Sequence, residues 1–222
     1  MKPAPRLYLV TPPLGDTAAF VPELSAALEA GDVAAVLLRL EDADERTLIN
    51  RAKSVAAIVQ RRDVALLLDG RADIVARAGA DGAHLSGIDA LEAALPALKP
   101  DRIAGAGSLI SRHDAMVAGE RGADYVMFGE PPSFRAPHGD EGLGAGRRPP
   151  LDVVIERIAW WAELFQPPCI GYAADLEEVG RLTQAQADFV ALGDWIWTHP
   201  QGPAAVVAAA ASSFPAIAGK GA

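Results

Sequence analysis

Short apolar runs alternate along this chain with longer segments of helical period, and that alternation limits the possible folds more than any other feature. Runs at 7–10, 33–38, 64–68, 82–85, 103–106, 125–128, 169–172 and 189–192 read as strands. They are apolar on both faces, as parallel strands covered on both sides are. Between them, 20–29, 45–61, 72–78, 90–98, 112–121, 152–164, 176–184 and 203–213 read as helices. In the second of these, Leu48, Ala52, Val55, Ala56 and Val59 recur at helical spacing. Eight strands alternating with eight helices is a βαβ pattern, closed into a barrel or open and doubly wound. Eight units in 222 residues favour closure, since open sheets usually stop at five to seven strands. The first turn, Thr11-Pro12-Pro13-Leu14-Gly15-Asp16, has no GxGxxG to cradle a dinucleotide. The expected fold is α/β, a single (β/α)8 TIM barrel over 1–222. Val36, Leu66 and Leu68 are expected inside it or beneath its helices.

Composition removes several function classes. A formal net charge of −9 argues against nucleic acid, which needs clustered Lys and Arg. Aromatic residues make up 6%, too few for a base-stacking platform. The single cysteine, Cys169, excludes a disulfide framework and a cysteine zinc site, and reads as a buried strand residue. No apolar run approaches the roughly 20 residues that span a bilayer, and residues 7–10 are too short for a signal-peptide core. A soluble, cytoplasmic protein without nucleic-acid or membrane partners is expected.

In a barrel, chemistry sits at the C-terminal ends of the strands and in the following loops. That rule selects Arg39 and Glu41, Asp69 and Arg71, His84, Ser86 and Asp89, Gly107 and Ser108, Glu130, Gly171, and Gly193 and Asp194. Carboxylates, small residues and arginine suit a hard divalent cation and a phosphorylated ligand. Simpler roles compete. Asp69-Gly70 is a turn dipeptide, Asp89 could cap a helix, and Arg39 could pair with Glu41 or Asp42. Gly193 could offer its N–H to a phosphate, which Asp194 would oppose. His113 and His199 read as surface residues. Residues 130–150 hold five prolines and four glycines, a long loop expected to be mobile. Arg135, Arg147 and Arg148 within it are candidate phosphate contacts, ordering over the mouth when an anion binds.

Three segments resemble the thiamine phosphate synthase family, which includes the thiazole tautomerases. Leu7-Tyr8-Leu9-Val10-Thr11 is similar to its first strand, Gly79-Ala80-Asp81-Gly82-Ala83-His84-Leu85 to its GADGVHL segment, and 122–129 (GADYVMFG) to its GADYVxxG segment. The resemblance runs from about Arg6 to Ile196. It implies a single-domain TIM barrel, usually a homodimer, that joins a pyrimidine diphosphate to a thiazole phosphate with Mg2+ in thiamine biosynthesis.

Carried over by position, the resemblance implies Arg39 and Ser108 as catalytic groups. Arg39, Arg71, His84, Gly171 and Gly193 would bind substrate, and Asp89 and Asp69 would hold the metal. The family's serine after strand five falls on Gly107 or Ser108. Several positions depart from the pattern: the glutamine and lysine after strand two are Leu37 and Glu41, and one metal aspartate is Gly70. The threonine–lysine diphosphate clamp is replaced by the 130–150 loop, a glycine pair by Gly171-Tyr172, and the tautomerase histidine by Ile110. Asp69 would replace the missing aspartate only if the backbone rotated, since a one-residue shift inverts a strand's side-chain face. The expected function is thiamine phosphate synthesis, or a diverged relative with weak or lost turnover. The competing reading is a non-catalytic barrel that binds a phosphorylated small molecule.

Overall fold

The computed structural model describes residues 3–131 and 148–215. Eight strands form one closed, all-parallel barrel in chain order: β1 (Arg6–Val10), β2 (Val33–Leu38), β3 (Ala65–Asp69), β4 (Gly82–Ser86), β5 (Ile103–Gly107), β6 (Tyr125–Phe128), β7 (Cys169–Ala173) and β8 (Phe189–Leu192). Pairing of Arg6–Leu9 with 189–192 closes the ring. The outer layer is α1 (Thr17–Glu29), α2 (Glu45–Val59), α3 (Val75–Ala78), α4 (Ile88–Leu98), α5 (Arg112–Glu120), α6 (Leu151–Leu164), α7 (Leu176–Gln184), α8 (Asp194–Trp197) and α9 (Pro203–Ser212). β2, β6, β8 and α7 keep the bounds read from sequence. The short α8 is a correction, since four residues carry no visible helical period. No described helix is long and apolar enough to cross a membrane.

Alternate residues of each strand separate into two apolar clusters. Leu7, Leu9, Val36, Leu38, Leu66 and Leu68 face outward and pack with the helices. Tyr8, Val10, Leu37, Leu67, Tyr125 and Met127 belong to the lumen. Thus Val36, Leu66 and Leu68 lie beneath the helices. Close packing at the seams needs glycine: a Cβ on Gly105 would lie 1.9 Å from the Tyr125 ring.

The N-terminal floor of the barrel repeats one device three times. Gly79-Ala80-Asp81, Gly122-Ala123-Asp124 and Gln186-Ala187-Asp188 precede β4, β6 and β8. The first residue of each has positive φ, 71°, 97° and 68°. The alanine is buried and its N–H returns to the preceding helix, to Val75, Ala118 and Leu182 carbonyls. The aspartate carboxylate accepts an N–H from the first or second residue of the neighbouring strand: Asp81 from Leu66 (2.7 Å), Asp124 from Ala104 (2.7 Å), Asp188 from Cys169 (2.9 Å). Each triplet ends a helix and starts a strand by satisfying amides that burial would otherwise strand.

Candidate active site at the barrel mouth

The inward positions at the C-terminal ends of β2, β3 and β4 bring Arg39, Asp69 and His84 together. Period two places Asp69 on the same face as Leu67, so it points into the lumen without any backbone rotation, correcting the sequence-based expectation. Arg39 is buried, and its backbone N–H donates to Thr11 Oγ1 at 3.0 Å. Its guanidinium lies 3.5 Å from Asp69 Oδ2 and 3.4 Å from Asp194 Oδ1. These carboxylates, rather than Glu41 or Asp42, are the ion-pair partners identified for it. Burial raises the Asp69 pKa, and the charges of His84 and Arg39 oppose that rise.

Beside this triad a buried polar chain crosses the lumen. Tyr8 and Tyr125 hydroxyls lie 2.9 Å apart, and Tyr125 Oη lies 2.9 Å from His84 Nδ1. Burial holds both phenols well above their usual pKa, so both stay protonated. His84 Nε2 faces Glu130 Oε1 at 3.8 Å, beyond hydrogen-bond distance. Nε2 is buried without a hydrogen-bond partner among the described residues. Glu130 Oε1 instead accepts from the Ser108 N–H at 2.8 Å, with Ser108 in the left-handed region (φ 55°).

The β7–β8 side of the mouth is filled by Tyr172. Its hydroxyl accepts the Asp194 N–H, and a Cβ on Gly193 would lie 1.8 Å from that oxygen. Burial and the neighbouring Asp194 charge push the Tyr172 pKa up to about 12. Indole N–H groups of Trp195 and Trp197 donate to the Ala173 and Val10 carbonyls and fasten α8 over this side.

Arg39, Asp69, His84 and Ser108 therefore converge, with Gly193 close by. Three other candidates do not join them. Arg71 forms a two-point pair with its neighbour Asp73 (3.0 and 2.8 Å). Gly171 faces α6 and α7, where a Cβ would meet Ile158 and Leu182. Asp89 is exposed in the first turn of α4, whose N-cap is Gly87, so it is not the cap. Arg148 donates to the Gly129 and Tyr172 carbonyls and forms a two-point pair with Glu178, which holds it against β6 and β7. Arg135, Arg147 and most of the 130–150 loop lie outside the described residues. Sequence reading missed Tyr8, Tyr125 and Tyr172; a tyrosine at an inward position of an otherwise aliphatic strand was the available signal.

The donor set does not fit the Mg2+ site that the resemblance implied. Asp69 fronts a guanidinium and Asp89 is exposed. Gly70 has φ 66°, and a Cβ added there would have nothing within 4 Å. The described residues contain no group of three or more His, Cys, Asp or Glu side chains able to hold a metal.

A family model described as thiamine monophosphate synthase matches residues 7–196. The chain belongs to that family. It is 42% identical over 210 residues to the thiamine-phosphate synthase of Rhodospirillum centenum, covering 91% of this chain and 94% of the relative. Identity to the thiamine-phosphate synthase of Hyphomonas neptunium is 37% over 224 residues, covering 98% and 97%. Among solved structures, the thiamine phosphate pyrophosphorylase from Pyrococcus furiosus matches with a TM-score of 0.75 at 20% identity, covering 94% of each chain. At that identity the likeness shows the fold alone.

Proposed function

We propose that this family member binds a phosphorylated small molecule of thiamine phosphate metabolism at the barrel mouth, with weak or lost Mg2+-dependent synthase turnover. Arg39 carries the reading. It is an inward-facing guanidinium suited to a single phosphate, yet Asp69 and Asp194 already flank it. A phosphate about 4 Å from one cation gains on the order of 4 kcal/mol at an effective dielectric of 20, and a second anion at similar range opposes that gain. Glu41 and Gly70 remove two more groups that a diphosphate leaving group would use. Catalysis of an ionising displacement depends on stabilising that leaving group, so binding survives their loss better than turnover does.

The protein is proposed to act as one TIM-barrel domain and as a cytoplasmic homodimer. The chain has a single cysteine, Cys169, and it is buried, which suits a reducing compartment; sedimentation measures the assembly. Calorimetric titration with thiazole phosphate tests binding, and a turnover assay with the pyrimidine diphosphate and Mg2+ tests catalysis. Loss of thiazole phosphate binding in Arg39→Gln supports the site; unchanged affinity removes it. The 42% identity to a relative named as a synthase favours a second reading, ordinary turnover of roughly 1 s−1 or faster.

A further inference from the structure

Several inward donors at the mouth already face acceptors from the chain itself. The Asp194 N–H meets Tyr172, Arg39 meets Asp69 and Asp194, and the Ser108 N–H meets Glu130. Glu130 is the least exposed of the carboxylates among these acceptors, its side chain 5% exposed against 21% for Asp69 and 50% for Asp194. Gly107 makes room for it: a Cβ there would lie 2.0 Å from Glu130 Oε1 and 2.4 Å from His84 Nε2. The carboxylate therefore sits on a backbone amide, beside His84 Nε2, which has no hydrogen-bond partner among the described residues. A bound anion needs donors of this kind, and charge makes such bonds short and strong.

We propose that Glu130 determines specificity as a built-in anion, occupying the position beside Ser108 and His84 that a ligand's anionic group would take. This part of the mouth then rejects a diphosphate and selects a neutral or cationic group. Such a group can donate to Glu130, with His84 Nε2 beside it. The phosphate of a monophosphate ligand stays with Arg39. The inference rests on the mouth being the ligand site, and it adds what each side of that site accepts.

Two titrations of the full chain test it. Glu130→Gln keeps an acceptor for the Ser108 N–H and removes the charge. Inorganic pyrophosphate should bind this variant at least about tenfold more tightly than the unmodified chain, equivalent to about 1.4 kcal/mol. Equal or weaker binding by a variant with an unchanged thermal midpoint overturns the proposal. The second titration needs no variant and decides the matter if Glu130→Gln does not fold. The unmodified chain should bind the pyrimidine alcohol about tenfold more tightly than its diphosphate; the reverse order overturns the proposal. Failure to bind either pyrimidine or thiazole phosphate overturns the mouth as the ligand site, while the pyrophosphate comparison still decides the role of Glu130.

Discussion

The two ends of this barrel follow different rules. At the floor, three copies of one short pattern each tie a helix end to a strand start through an aspartate, and two of those copies carry the family resemblance. At the mouth, the lysine, an aspartate and the clamp expected from the family are replaced, and acidic and phenolic groups face the remaining donors. The floor of such barrels serves stability and the mouth serves chemistry. The floor copies of the motif therefore speak for ancestry and fold while saying little about turnover. The difference also separates two kinds of mutational effect, and the following experiments test that separation.

The largest expected effect is at the floor. Asp124→Ala strands the Ala104 amide and removes the ion pair with Lys99, at a cost of about 2 kcal/mol. Chemical denaturation should show that loss while thiazole phosphate affinity stays constant. A matching loss of affinity would mean that the two ends are coupled. Tyr125→Phe comes next. It breaks the Tyr8–Tyr125–His84 chain at its centre and should cost about 1.5 kcal/mol. Unlike the floor variant, it should also weaken ligand binding, because His84 loses the partner that orients its ring. Unaltered binding would confine the tyrosine chain to a structural role.

A smaller effect of opposite sign is expected at Gln186, which holds at φ 68° the place that glycine takes in the other two triplets. Gln186→Gly relieves left-handed strain but loosens the unfolded chain, for a net gain of about 0.5 kcal/mol in thermal or denaturant melts. A loss instead would show that the glutamine side chain contributes more than its backbone costs.

The smallest effect is a pH dependence at the mouth. Burial raises the Asp69 pKa above its ordinary 3.8 despite His84 and Arg39. The folded state then binds that proton more tightly than the unfolded state does. Stability from this group is therefore full below pH 3.8 and declines as pH rises through the folded pKa. The stability difference between the unmodified chain and Asp69→Asn should fall across that window and level off above it. A difference that rises with pH would mean that the Arg39 pair outweighs burial.

How much was legible differs between particular residues. Val33–Leu38 was readable as a strand because an unbroken apolar run between polar turns has few other uses. That same run concealed which face is which, since Leu37 in the lumen and Leu38 beneath the helices are chemically identical. Arg39, His84 and Ser108 could be assigned to the mouth from their positions after strands. Gly171, one residue from the inward Tyr172, was misplaced because a one-residue error inverts the face. The floor aspartates were legible as a motif but not as amide acceptors, a role that appears only when neighbouring strands meet.

Local order along the chain therefore determined the eight βα units and the family, because apolar runs, turn residues and left-handed glycines act over a few neighbours. Tertiary structure alone decided the pairings that make the site. Tyr8 meets Tyr125 across 117 positions and Arg39 meets Asp194 across 155. Closure of the barrel brings these residues together, and burial then sets the energetic weight of each hydrogen bond and charge.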